Sequence, residues 1–112
     1  MQKWQKSRTE EVPFGVNVRR LGSATILRFS GELDHSHSDE AEEAIRAAEG
    51  HGGPIVVDLS EVTFLDSTAL RTLLAAQSRE RLDGGDRLSV IRSKHEAVTR
   101  VFEVTGTTEM FW

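Results

Sequence analysis

The amino-acid sequence predicts an α/β domain with a mixed β-sheet of four to five strands covered by α-helices. Three observations carry this expectation. Two short alternating segments at the start read as a hairpin, and strand-like and helix-like patterns then take turns along the chain. A compact β-branched run, Ile55-Val56-Val57, stands near the middle. The apolar share of 38% in 112 residues suffices for one core.

The elements follow in order. Residues 1–11 are polar and of mixed charge, and are expected to be a flexible leader before a domain spanning residues 12–112. Phe14, Val16 and Val18 alternate with Gly15, Asn17 and Arg19, and Leu27 and Phe29 alternate with Ile26 and Arg28, as half-buried strands do. Leu21-Gly22-Ser23 supplies the turn between them. Gly31-Glu32-Leu33-Asp34 ends the second strand. Ala41, Ala44, Ile45 and Ala48 recur at helical spacing, so a helix is expected over about residues 38–49, with Gly50 as its C-terminal cap. Pro54 opens Ile55–Leu59, expected to be a central strand buried on both faces. The following loop is expected to tuck Val62, Phe64 and Leu65 into the core. A second helix runs from Asp66 or Ser67 to about Leu82, with Leu70, Leu73, Leu74 and Gln77 inward. Asp83-Gly84-Gly85-Asp86 reads as a turn, and Leu88, Val90 and Ile91 as a strand. Ser93-Lys94-His95-Glu96 has capping-box spacing and should start a third helix that Gly106 stops.

Composition narrows the function classes. The formal net charge is −4, from 14 basic and 18 acidic residues. Such a chain gains little from polyanion attraction, so direct binding to nucleic acid is not expected. It offers no basic face for anionic lipid. With no cysteine there is neither a disulfide nor a thiolate metal site. Met1-Gln2-Lys3-Trp4-Gln5-Lys6 is not followed by an apolar run of the secretory kind, and no stretch approaches a membrane span. The expected location is cytoplasmic, without membrane insertion.

The informative segment is Asp58 through Leu70. A buried strand delivers the chain to an apolar loop, which fixes Asp66 and Ser67 at the mouth of a helix. First-turn amides there carry partial positive charge and would receive an anion well. Asp and Ser are also ordinary N-cap residues, so plain capping accounts for either one alone.

As a whole the segment resembles the STAS family, the domain of sulfate transporters and anti-sigma-factor antagonists. The carrying residues are Val57-Asp58-Leu59, Val62, Phe64 and Asp66-Ser67-Thr68-Ala69-Leu70. Gly31-Glu32-Leu33-Asp34 resembles the family's turn after its second strand. Val101-Phe102, Thr105-Gly106 and Met110-Phe111 resemble its C-terminal helix and tail. The resemblance spans about residues 12–112. The chain departs from it at His37, where many relatives have Thr or Ser, and at Ala69, commonly Gly; both departures leave the Ser67 hydroxyl in place.

The resemblance implies a single STAS-like domain acting as an anti-sigma-factor antagonist. Such a protein binds an anti-sigma factor with serine kinase activity, releases a sigma factor, is switched off by phosphorylation of its Ser and is restored by a serine phosphatase. On this chain the phosphorylated residue would be Ser67, and Asp66, Ser67, Thr68 and Asp34 would form the partner-binding surface. The alternative is a STAS subunit or regulator of a membrane transporter complex. A monomer or weak dimer is expected.

An enzyme is not expected. Asp34, His35 and His37 give at most a partial ligand set, so no metal site is assigned. No G-x-S-x-G elbow surrounds Ser67, which leaves no catalytic residue to name. Asp83-Gly84-Gly85-Asp86 lacks the Lys-Ser/Thr of a P-loop, and no cofactor fingerprint is present.

Overall fold

The fold is known from a computed structural model, which describes residues 13–112. The expected leader over residues 1–11 lies outside them. In order come strand β1 (Gly15–Leu21), β2 (Ala24–Leu33), helix α1 (Ser38–His51), β3 (Ile55–Leu65), α2 (Ser67–Leu82), β4 (Leu88–Ile91), α3 (Glu96–Thr105) and α4 (Thr108–Phe111). The strands form one sheet in the order β1-β2-β3-β4. β1 and β2 are an antiparallel hairpin; β2 with β3, and β3 with β4, are parallel. Gly22 turns the hairpin at φ 63°, a backbone region that side chains disfavour.

This topology dictates which face is covered. Each parallel step, β2-α1-β3 and β3-α2-β4, moves in the same direction across the sheet. Right-handed crossovers then place both helices on one side. Burial follows suit. Thr25, Leu27, Phe29, Gly31 and Leu33 of β2 are buried, as are Ile55, Val57 and Leu59 of β3 and Leu88 and Val90 of β4. The paired register sets Leu27, Val57 and Val90 in one row of that face. On the other face Ile26 and Val56 are half-buried and Ile91 is exposed. The helices therefore cover one side of the sheet, and β3 is not buried on both faces as its β-branched run suggested. The exception is Asp58, buried on the open side beneath Arg28, whose Nε donates to Asp58 Oδ2 at 3.1 Å.

β3 continues through the segment expected to be a loop. Two irregularities in its pairing with β2, between Arg28 and Ser30 and between Gly31 and Glu32, break its period of two. Val62 and Leu65 stay in the core, but Phe64 is 46% exposed, contrary to expectation.

The helices also correct several expectations. α1 runs past Gly50 to His51, and Gly52, at φ 87°, is its cap. Its inner face is thin, with Ala41, Ile45 and Ala48 buried. Polar clamps supplement it: Arg79 of α2 reaches Glu49 at 3.1 Å and Glu42 at 3.5 Å. α2 buries Leu70, Leu73, Ala76, Gln77 and Glu80, while Leu74 is only half-buried. Buried Glu80 is held by Arg87, whose Nε and a terminal nitrogen each donate to it at 2.8 Å. The capping box at Ser93 does not form. The Ser93 hydroxyl donates instead to the Val62 carbonyl at 2.7 Å, and α3 starts after His95 with no side-chain cap. Gly106 ends α3 in the left-handed conformation, as expected.

The C-terminal residues close over β4. Gln77 Nε2 donates to the Met110 carbonyl at 2.7 Å, and the Trp112 indole N–H donates to the Val90 carbonyl at 2.7 Å. Arg92 lies 4.7 Å from the Trp112 ring centroid, and Phe102 meets that ring edge-on at 5.0 Å.

Candidate functional site

The site begins with the end of β3, whose buried Leu65 anchors the chain where it enters α2. Asp66 follows in extended conformation and caps the helix. Its Oδ1 accepts from the Ala69 N–H at 3.0 Å, satisfying one of the orphan amides of the first turn. Its Oδ2 accepts from the His35 N–H at 2.9 Å. One carboxylate thus ties α2 to the loop after β2. A backbone hydrogen bond from Asp66 N to the Leu33 carbonyl, 3.4 Å, runs alongside.

That loop is organised by Asp34. Its Oδ1 accepts from the Ser36 hydroxyl at 2.6 Å and the Ser36 N–H at 3.0 Å, and lies 3.1 Å from His37 Nδ1. The Ser36 hydroxyl holds the Asp34 carboxyl below its usual range against the opposing effect of burial, with help from the Ser36 N–H and the two histidines. The Asp34 carbonyl accepts from the Ser38 hydroxyl at 3.0 Å, which starts α1. The His37 ring stacks on Phe14 at 4.2 Å between centroids. No local sequence pattern signals this contact, because Phe14 precedes β1 and His37 precedes α1, far apart along the chain.

Ser67 is the first residue of α2 and is exposed. Among the described residues its hydroxyl makes no hydrogen bond, in contrast to both oxygens of Asp66. Thr68 is half-buried and lines a shallow groove of about 270 Å³ between α1 and α2. The structure therefore brings Asp66, Ser67 and Thr68 together at one helix start and joins the Asp34 loop to them through His35. Asp34 itself turns inward on its loop. Among the described residues, no three His, Cys, Asp or Glu side chains are placed to hold a metal.

A family model described as Mlab, STAS domain matches residues 16–111. The chain belongs to the STAS family. Solved structures agree with this. An anti-sigma factor antagonist from Mycobacterium paratuberculosis superposes with a TM-score of 0.76 at 29% identity, over 88% of this STAS chain and 83% of that one. SpoIIAA in its unphosphorylated form gives 0.71 at 21% identity, over 88% and 86%. The Bacillus cell fate determinant SpoIIAA in its phosphorylated form gives 0.64 at 20%, over 89% of each chain. The latter two likenesses show the shared fold: one α/β STAS domain on a four-stranded mixed sheet.

Proposed function

We propose that this STAS protein is an anti-sigma-factor antagonist. It binds a kinase-type anti-sigma factor, thereby releases a sigma factor, and is switched off by phosphorylation of Ser67 and restored by a serine phosphatase. This places its work in the cytoplasm. One observation carries the reading: an exposed serine hydroxyl without a partner among the described residues sits on a helix start that Asp66 fixes with both carboxylate oxygens.

The roles divide by geometry. Ser67 accepts the phosphate. Thr68 and the exposed rim around Ser67 meet the partner. Asp66 and Asp34 hold that surface in shape by bonding α2 and the loop before α1. A phosphate adds about −1.5 to −2 charges and three acceptor oxygens. At a helix N-terminus it faces the positive dipole end, so the domain stays folded. Binding is lost at the interface, where a hydrated dianion pressed against a packed partner must shed water. Without a cation to meet it, this costs several kcal/mol, against about 8 kcal/mol for a micromolar complex.

The test is titration of the unmodified, Ser67→Ala, Ser67→Asp and phosphorylated proteins against the partner purified with the unmodified form. Ser67→Ala should bind as tightly as the unmodified protein and resist phosphorylation. Ser67→Asp and the phosphorylated protein should bind at least tenfold more weakly, equivalent to about 1.4 kcal/mol. Equal affinities would overturn the switch, and a transporter component as the bound partner would favour the alternative of a transporter-associated STAS subunit.

A further inference from the structure

Arg71 stands one helical turn beyond Ser67 on α2. Residues four apart on a helix share a face, and helical side chains lean toward the N-terminus, so Ser67 lies within the sweep of the exposed Arg71 side chain. Arg71 is exposed and makes no ion pair among the described residues. That sets it apart from Arg79 on the same helix, which is committed to Glu42 and Glu49. Arg71 also lines the groove between α1 and α2, together with Thr68 and Thr72.

We infer that Arg71 is the positioning residue for the phosphate on Ser67. This rests on the reading of Ser67 as the modified residue and deepens it. A guanidinium presents paired donors matched to phosphate oxygens, which lysine's single ammonium does not. Once the phosphate is present, Arg71 swings from solvent onto it. The modification then changes the surface twice. It adds a dianion and withdraws a cation that the unmodified protein offers to a partner.

The other charged groups around this position are known. Asp66 adjoins Ser67. His35 lies across the loop, its Nδ1 3.6 Å from Asp66 Oδ2. Asp39 and Glu42 face Arg71 across the groove. All of them remain in an Arg71 variant, so a difference between variant and parent reports Arg71 alone.

The experiment installs phosphoserine genetically at position 67 and follows its second ionisation by phosphorus NMR in the parent, R71Q and R71K proteins. A nearby cation favours the dianion, so the parent should ionise at lower pH than R71Q, by about 0.3 pH unit or more. R71K should recover part of that difference. The unphosphorylated R71Q should melt with the parent, since Arg71 is exposed and makes no ion pair among the described residues. Superimposable titration curves for all three would overturn the role of Arg71. The result is independent of the partner titration. A shifted ionisation with unchanged partner affinity would sink the switch and leave the Arg71 contact standing.

Discussion

Asp66 shows how much one side chain can be asked to do. As a helix cap alone, it would tolerate Asn well. Here both oxygens receive backbone N–H groups, from Ala69 and His35. Asn has one oxygen, so its amide nitrogen would face one of those donors. Asp66→Asn should therefore destabilise the protein by about 1.5–3 kcal/mol, the range for a hydrogen bond to a charged group. A urea midpoint unchanged from the parent would reduce Asp66 to an ordinary cap. The sequence placed Asp66 at the helix start but not its second bond, because the His35 amide comes from a loop that no local pattern ties to α2. Glu80 is a similar case. It continues the buried spacing of Leu70, Leu73 and Gln77, and an acid on that stripe was the one available signal that a cation must meet it. The cation, Arg87, comes from beyond the turn.

At the scale of elements, the departures from expectation share one cause. Periodicity marks an element while its period holds. β3 was legible from Ile55 to Leu59 and lost where bulges interrupt the pairing, so Ser60–Leu65 passed for a loop. α1 ends at His51 because a glycine can ride within a last turn as well as close it. Two substitutions follow from that correction. Gly50 is helical, with nothing within 4 Å of a built Cβ, so Gly50→Ala should stabilise by about 0.5–1 kcal/mol. Gly53, at φ 81°, has the Ser23 carbonyl oxygen where a Cβ would need room, so Gly53→Ala should destabilise markedly. Melting temperatures moving the same way in both would contradict the placement of Gly50 within α1 and of Gly53 against Ser23. Within α2 the order should be Leu73→Ala, costing about 2–5 kcal/mol, above Leu74→Ala, since Leu73 is 1% exposed and Leu74 is half-buried. The sequence put both on the inner stripe, because an alternating 3–4 spacing does not show where the stripe's edge falls.

For the molecule as a whole, the sequence conveyed element order, the hairpin and the parallel crossovers, which is the STAS topology. It did not convey that the helices gather on one face. That follows from the direction of successive crossovers, a property of strand order rather than of any segment. The same whole-molecule view sets the response to acid. Arg87 holds the Glu80 carboxyl below its usual range against the opposing effect of burial. At Asp58 burial works against the charge, yet the Ser60 hydrogen bonds and Arg28 outweigh it. Depressed carboxyl pKa values contribute stability that is present above the unfolded value and lost as pH falls through the folded one. Stability should thus hold at neutral pH and decline below about pH 4. In Glu80→Gln that decline should be shallower, from a lower starting stability. A parent and variant with parallel pH profiles would show that the pair is not responsible.

The indole of Trp112 is pinned by its N–H to a strand carbonyl and flanked by a guanidinium and the edge of Phe102. That makes it an optical probe of the chain's closing turn. In a protein with Trp4→Phe, it would be the sole indole emitter. Its fluorescence would then shift to the red when the C-terminal turn leaves β4. Fraying of this edge could be timed separately from global unfolding, without attaching any dye.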